Sequence, residues 1–219
     1  MKSTDATLVS DNDLKLMETL HAAFRRDTAR LAGVSARFSS REAEVHDALL
    51  LGWHGFSWSL HHHHVVEDDY IWPLMRQRLA DDPDDLAILD AMEAEHALID
   101  PALDAVEQAF DDPERGPEEL PARIGELVDL VHGHLGHEEH DAFPLIKRVI
   151  TVKEWEMLSK DALKELSFSQ IAELGPYLLE GASPERRQSV LRELPLPLRL
   201  VHRFWWNPRY QRRPRWENP

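Results

Sequence analysis

The sequence predicts an all-α protein: an antiparallel four-helix bundle followed by a short helical C-terminal extension. Three observations predict it. Glycine is scarce, with 9 residues among 219, prolines gather at breaks, and apolar residues between the breaks recur at helical spacing. Hydrophobic residues make up 42% of the chain, which is enough for a sizeable core. We place the bundle at residues 1–150 and the extension at residues 151–219.

The first two helices follow from an apolar stripe and a capping signal. The first is predicted over residues 11–31, with His21 on its apolar stripe. The second begins at a capping box formed by Ser39 and Glu42 and continues through a bend at Pro73. It is the longer of the two.

The later helices are separated by acidic, proline-containing turns. The stretch DDPDD at residues 81–85 ends the second helix and caps the third, and DDPERGPEE at residues 111–119 leads into the fourth. Such short connections make neighbouring helices antiparallel. In the extension, shorter helices start at the capping box of Thr151 with Glu154 and at Ser183, which precedes a proline.

Two segments on the second and fourth helices align without a gap. One contains His63 and Glu67, the other His134 and Glu138, and each continues with an acid and then an aromatic residue, Pro and Leu. A spacing of four residues puts imidazole and carboxylate on one helix face, one turn apart. Each segment can therefore present a nitrogen and an oxygen ligand to one metal centre.

The other two long helices each contribute a histidine on the apolar stripe. These are His21 and His96, which precede the HxxxE histidines by 42 and 38 residues. The order His, HxxxE, His, HxxxE is thus repeated, so the first helix pair is similar to the second. Such a repeat would place four imidazoles and two carboxylates around one point, as in a dinuclear metal site.

With these residues the sequence resembles the hemerythrin-like, HHE cation-binding family over about residues 12 to 148, including the WPL and FPL endings. The resemblance implies a di-iron centre with two bridging carboxylates. Manganese also suits mixed imidazole and carboxylate ligands, whereas structural zinc prefers thiolate. The segment RFWWNPRYQRR resembles the C-terminal extension of some actinobacterial members. The metal ligands implied are His21, His63, Glu67, His96, His134 and Glu138.

One departure from the family pattern bears on function. In the oxygen carriers of the family the third helix supplies two histidines four residues apart, whereas here Asp100 stands four residues after His96. Without a fifth histidine both metals keep an exchangeable position, unless Asp100 fills one. We therefore expect redox chemistry on hydrogen peroxide or nitric oxide, catalase-like or NO-peroxidase-like. The alternatives are reversible O2 or NO binding or sensing, and iron storage or donation; no feature identifies an electron donor.

A competing ligand set resembles that of ferritin-like di-iron proteins. Glu18 and Glu93 each lie three residues before a histidine, and could join Glu67 and Glu138. With this set, the HxxxE histidines would not be ligands. It would also put the ExxH pairs on the first and third helices instead of the second and fourth. We therefore expect Glu18 and Glu93 to support the ligands or face solvent.

Tyr70 is the candidate catalytic residue. It lies seven residues after His63 and three after Glu67, on the same stripe, where it could act as a ligand, proton donor or redox relay. The alternative is that its hydroxyl lies at the mouth of the pocket. The remaining histidines of the two segments are expected to point away from the metals: His61, His62, His64, His132, His137 and His140.

Composition and charge exclude several functions. Cysteine is absent, so disulfides, thiolate metal sites and cysteine nucleophiles are excluded, and a formal charge of −15 argues against nonspecific nucleic-acid binding. No stretch predicts an integral membrane segment or a cleaved leader, so we expect a cytoplasmic protein. Residues 195–219 carry six arginines against one acid, among aromatic residues. This tail could touch an anionic surface, but we expect it to fold back onto the acidic body.

Overall fold

Four long helical segments form the body of the protein in the computed structural model, which describes residues 7–35 and 43–216. The predicted capping box of Ser39 and Glu42 lies outside these residues. The segments are, in chain order, α1 (Lys15–Ser35); α2 (Ala43–Val66), continued by a π turn (Glu67–Ile71) and α3 (Trp72–Arg78); α4 (Pro83–Asp111); and α5 (Gly116–His137), continued by a π turn (Glu138–Ala142) and α6 (Phe143–Val149).

The arrangement of these segments confirms the all-α bundle. Helix α1 packs against α2 and α5, and α4 packs against the same two helices. The described residues contain no strand, only an isolated bridge between Leu8 and Thr151. None of the helices in the described ranges is long and apolar enough to span a membrane.

The two π turns of the bundle have the same cause in the sequence. Each is followed by an aromatic residue and a proline, Pro73 in one case and Pro144 in the other. Proline has no N–H to donate to the carbonyl four residues back, and its ring clashes with that carbonyl. The backbone therefore widens: the Trp72 N–H donates to the Glu67 carbonyl five residues earlier, and the Phe143 N–H donates to that of Glu138. Such turns are frequent at functional sites.

Two apolar clusters fill the bundle on either side of a buried polar layer. One is built around Phe24, Trp53 and Phe56, and the other contains Trp72 and Met92. On each of the four segments, buried histidines or glutamates separate the residues of the two clusters. The apolar clusters therefore hold the polar layer in place and keep bulk water from it.

Shorter helices follow the bundle. They are α7 (Val152–Lys164), α8 (Phe168–Leu179), α9 (Pro184–Glu193), and a last helix made of α10 (Leu196–Val201), a π turn (His202–Trp206) and α11 (Asn207–Gln211). The predicted capping box is present, with Glu154 N–H donating to the Thr151 hydroxyl at 3.3 Å. The predicted cap at Ser183 is also present, accepting from the Arg186 N–H.

The extension is fixed to the bundle by polar and aromatic contacts. Arg26 on α1 donates to the backbone carbonyls of Tyr177 and Glu180, at 3.2 and 2.6 Å. Near the end of the chain, the buried Trp216 lies on Gly52, where a Cβ atom would be 2.5 Å from the indole ring. The Trp216 N–H donates to a backbone carbonyl of α2. This part of the tail therefore folds back onto the body, as expected.

Candidate metal centre

Four buried side chains from three helical segments meet at one point of the polar layer. His21 from α1, His63 from α2, and the π-turn residues Glu67 and Glu138 place their ligand atoms within 4.8 Å of one another. His21 Nε2 lies 3.2 Å from His63 Nε2 and 3.1 Å from Glu138 Oε2. Two neighbouring ligands bound at roughly 2.1 Å to one ion are about 3 Å apart, so these nitrogens are spaced to share an ion.

A second pair of histidines faces the first across the two glutamates. His96 Nε2 and His134 Nε2 are also 3.2 Å apart. One Glu67 oxygen lies 3.3 Å from His63 and the other lies 3.5 Å from His96. Glu138 Oε2 is within 3.9 Å of His134 as well as close to His21. Both carboxylates therefore lie between the histidine pairs, where they could bridge two ions.

The glutamate oxygens are suited to cations because their near neighbours are only the imidazoles of the cluster and each other. Glu67 and Glu138 are fully buried, yet none of their four oxygens has a hydrogen-bond partner. A buried carboxylate without partners is costly, and in proteins such groups are paired or bind metal. Oxygen and imidazole ligands without thiolate suit iron or manganese. The residues present therefore fit the metal pair that the sequence resemblance implied.

The charged groups of the cluster shift one another's pKa values. Burial and the adjacent Glu138 raise the pKa of Glu67 well above its usual value. Burial would lower the pKa of His21, but Glu138 and Glu139 outweigh it and raise this pKa to about 9. Burial keeps the pKa of His63 low. Cations bound between these groups would supply positive charge to offset the two buried carboxylates.

Carboxylates outside the cluster orient three of the four histidines through Nδ1. Glu139 contacts His21 at 2.9 Å, Asp68 contacts His96 at 2.9 Å, and Glu95 contacts His134 at 3.0 Å. Each contact fixes the ring so that Nε2 points at the cluster, and it makes that nitrogen a stronger ligand. Asp68 and Glu139 directly follow the two central glutamates, so the acid repeated after each Glu was their signal in the sequence.

Comparison with known proteins identifies the family. The model of the hemerythrin HHE cation-binding domain matches residues 12–146, which is more than half of the chain. The chain belongs to the hemerythrin HHE family. No curated protein and no solved structure gives a significant match. The buried cluster of histidines and glutamates thus lies within the part of the chain that matches a cation-binding domain.

One residue of this hemerythrin-like centre was wrongly expected to point away. His64 is 2% exposed, stacks on the His96 ring at 4.0 Å and meets the His134 ring edge-on at 5.1 Å. Neither of its ring nitrogens has a hydrogen-bond partner. Its ligand atom lies within 4.8 Å of those of His96 and His134. Because α2 packs between α1 and α4, consecutive residues reach both: His63 faces His21 of α1, and His64 faces His96 of α4.

Other candidates lie outside the cluster. The Tyr70 hydroxyl donates to Glu165 of the extension at 2.5 Å, so the structure does not bring this phenol to the ligands. Asp100 lies 3.2 Å from His61 on the surface, and Glu93 pairs with Arg76 at 2.9 Å. Glu18, half-buried, also lies outside the ligand groups. The ferritin-like set is therefore not assembled among the described residues.

The other histidines of the two segments have partners elsewhere, as expected. His62 stacks on Trp58, and His132 is 2.8 Å from the Thr28 hydroxyl. His137 is 2.7 Å from Glu95, the carboxylate that also holds His134. These contacts place His62, His132 and His137 around the centre without making them ligands.

An apolar cavity of about 180 Å³ adjoins the first histidine pair. Its lining includes His63 and, from α1, Leu20; α7 and α8 of the extension supply the opposite wall. The only other polar side chains that line it are His62 and Ser159. No carboxylate of the described residues pairs with His63 through Nδ1. The extension therefore shapes the surroundings of one half of the centre.

Proposed function

We propose that the chain is a non-haem di-iron protein that reacts with hydrogen peroxide or nitric oxide. The observation that carries the proposal is the set of four unpartnered carboxylate oxygens between buried imidazoles. The proposed ligands are the four imidazole groups and two carboxylates that meet in the polar layer: His21, His63, Glu67, His96, His134 and Glu138. Manganese is the alternative metal.

The choice of iron rests on ligand chemistry and on the intended reaction. Mixed imidazole and carboxylate ligands with an exchangeable position are typical of redox-active iron, and when bound the pair of ions would accept and return electrons. Disproportionation of hydrogen peroxide into water and oxygen consumes no external electrons. Reduction of nitric oxide needs an electron donor, which no feature of the chain identifies.

The protein's own groups would position the ligands and exclude water. Glu139 is held by Arg25 through two hydrogen bonds at 2.6 and 3.0 Å while it also contacts His21. Arg25 and His21 lower the pKa of Glu139 to about 2 against the effect of burial. This carboxylate therefore stays ionised and orients His21. The apolar clusters on both sides exclude water from the reacting atoms.

His64 favours a second candidate function, reversible binding or sensing of O2 or NO. If both carboxylates bridge, the ion at His21 and His63 has two imidazoles, whereas that at His96 and His134 gains a third from His64. The premise that both metals keep an exchangeable position, from which peroxide chemistry was inferred, then holds for one metal only. A single open position suits a ligand bound to one metal.

The deciding experiment is purification under air with elemental analysis and visible spectroscopy, followed by addition of hydrogen peroxide while evolved oxygen is recorded. Two irons per chain, an oxo-bridged ferric spectrum and oxygen release are the expected results. Two irons without turnover, together with a stable and reversible O2 or NO spectrum, would support the second candidate. A chain that retains no iron or manganese would refute the metal centre.

A further inference from the structure

The last helix has an apolar face that the protein does not cover. Leu196, Leu200 and Phe204 all lie on the solvent-exposed side of this helix. They are 69%, 56% and 65% exposed, and the neighbouring Trp205 is 74% exposed. The opposite side packs against α8 of the extension, through the buried residues His202, Trp206 and Tyr210.

A further exposed aromatic residue lies at the start of α8. Phe168 is 66% exposed, and its ring centroid lies 5.4 Å from that of Trp206, directly beside the last helix. Single exposed apolar residues are normal, but contiguous ones mark interaction sites. Five of the ten large apolar side chains that are exposed in the described ranges fall in this patch, so it is not an average surface. We call these five residues, Phe168, Leu196, Leu200, Phe204 and Trp205, the aromatic face.

Three exposed arginines of the same stretch of chain lack an anionic partner. Arg203, Arg209 and Arg212 are exposed, and none has a carboxylate within 4.0 Å among the described residues. The Arg203 guanidinium lies 5.4 Å from the Phe204 ring centroid. By contrast, Arg213 and Arg215 are paired with Glu173 at 2.8 and 2.9 Å. The inner arginines thus attach the tail, while the outer ones are available to an external anion.

We propose that the aromatic face and its three unpaired arginines bind an anionic membrane surface, with the last helix lying in the plane of the lipid headgroups. Leucine, phenylalanine and tryptophan on one helix face, flanked by arginine, are the features of helices that bind at this interface. Each arginine near an anionic bilayer strengthens binding, and tryptophan favours the headgroup region. The charge of −15 belongs mainly to the body. Beyond about 10 Å it is screened by salt.

The test is co-sedimentation of the full chain with vesicles. Vesicles of phosphatidylcholine mixed with phosphatidylglycerol should bind the protein, phosphatidylcholine alone should bind it weakly, and added salt should weaken binding. Replacing Arg203, Arg209 and Arg212 by Gln should reduce affinity for the anionic vesicles by about fivefold per arginine. The double variant Phe204→Ser, Trp205→Ser should reduce it by about tenfold or more.

Matched controls replace exposed apolar residues elsewhere. Leu98→Ser and Met157→Ser alter side chains that are 58% and 53% exposed and outside the aromatic face, so they should leave vesicle binding unchanged. Circular dichroism and metal content are measured for every variant, and only variants that match the parent are compared. No preference for anionic vesicles would overturn the proposal. It would also be overturned if, without lipid, the chain forms dimers that Phe204→Ser, Trp205→Ser abolishes, since the aromatic face would then be a contact between copies.

Discussion

The two halves of the metal centre derive from the same repeat, yet they differ in their surroundings. The acid after each central glutamate orients a histidine of the opposite half: Asp68 holds His96, and Glu139 holds His21. The proposed ligands of both ions therefore conform to the repeat, and so do the acidic residues that directly follow the two glutamates. The two halves differ in the space that is available at each ion for an exogenous ligand.

Two departures from the repeat create the difference. The residue before His96 is Glu95, which orients His134, whereas the residue before His21 is Leu20, which lines the apolar cavity beside His63. His64 likewise aligns with Leu135, an apolar core residue of α5. One half is thus rich in polar support and imidazole, while the other borders apolar space. This teaches that a sequence repeat can build a symmetric ligand set inside an asymmetric reaction site.

Removing one ligand from each half should have the largest effect. We expect His63→Ala and His134→Ala each to lower metal affinity by more than about 100-fold, because even the groups that support ligands are worth 10- to 100-fold. Iron content after gel filtration measures this, and circular dichroism should show a helical chain. His62→Ala, which changes a neighbour outside the cluster, is the control. A ligand variant with its full iron content would refute the site.

The variant His64→Leu places at position 64 the residue type found at the aligned Leu135. It should therefore make the ligand sets of the two halves more alike. We expect loss of an imidazole from the ion at His96 and His134, with weaker metal retention and a second position that can bind azide. Azide titration followed by visible spectroscopy gives the number of positions. Unchanged retention and azide stoichiometry would mean that His64 is a buried neighbour and not a ligand.

Glu95→Gln should weaken metal binding only at His96 and His134, the second half of the centre. The carboxylate contacts both His134 and His137, at 3.0 and 2.7 Å, so its loss should lower the affinity for one ion by about 10- to 100-fold. Chelator-release kinetics should then show faster release of one iron than in the parent, with the release rate of the other unchanged. Release of both irons at an unchanged rate would contradict the supporting role of Glu95.

Filling the apolar cavity should slow ligand access only to the ion at His21 and His63. Ala162→Phe places a ring where α7 lines the cavity, and we expect slower NO association without loss of iron. Met157→Phe is the matched control on the same helix, since Met157 is exposed and does not line the cavity. Stopped-flow absorbance gives both rates. Equal association rates in the two variants would show that the ligand reaches the centre by another path.

The smallest expected effect is on the free energy of unfolding, through the attachment of the extension to the bundle. It depends on pH. Glu180 accepts from Arg30 and Tyr210; burial opposes ionisation, but Arg30 and Arg26 lower its pKa. A depressed pKa stabilises the fold above the unfolded value of about 4.3, and this stabilisation is lost as pH falls below it. Glu180→Gln should cost about 1–2 kcal/mol at neutral pH and little in acid. Urea unfolding at both pH values checks this; a pH-independent difference would contradict it.

The sequence predicted the parts of the fold and site that depend on spacing along one helix. The four segments and the clustering of six buried His and Glu residues followed from periodicity and from the aligned HxxxE segments. Tyr70 failed to join them because the π turn beginning at Glu67 widens the helix and shifts the residues after it to another face. Spacing counted from a regular helix cannot anticipate that shift.

Contacts that depend on how helices pack could not be predicted. His64 lies one residue from His63, or about 100° around a regular helix, and it enters the centre only because α2 lies between two helices of the bundle. Glu95 is likewise one residue from His96, and its contact with His134 depends on how α4 meets α5. Packing angles, and not residue type, decided both cases.

The position of Trp216 on Gly52 sets an order of events during synthesis. The helices that carry the proposed ligands are complete at Val149, whereas Trp216 is translated much later. At typical ribosome speeds of about 5–20 residues per second, the residues from Ile150 to Trp216 take roughly 3 to 13 s. The nascent bundle can thus meet metal ions before Trp216 fixes the extension to α2. Assembly of the centre and attachment of the extension are therefore separate steps in the life of each molecule.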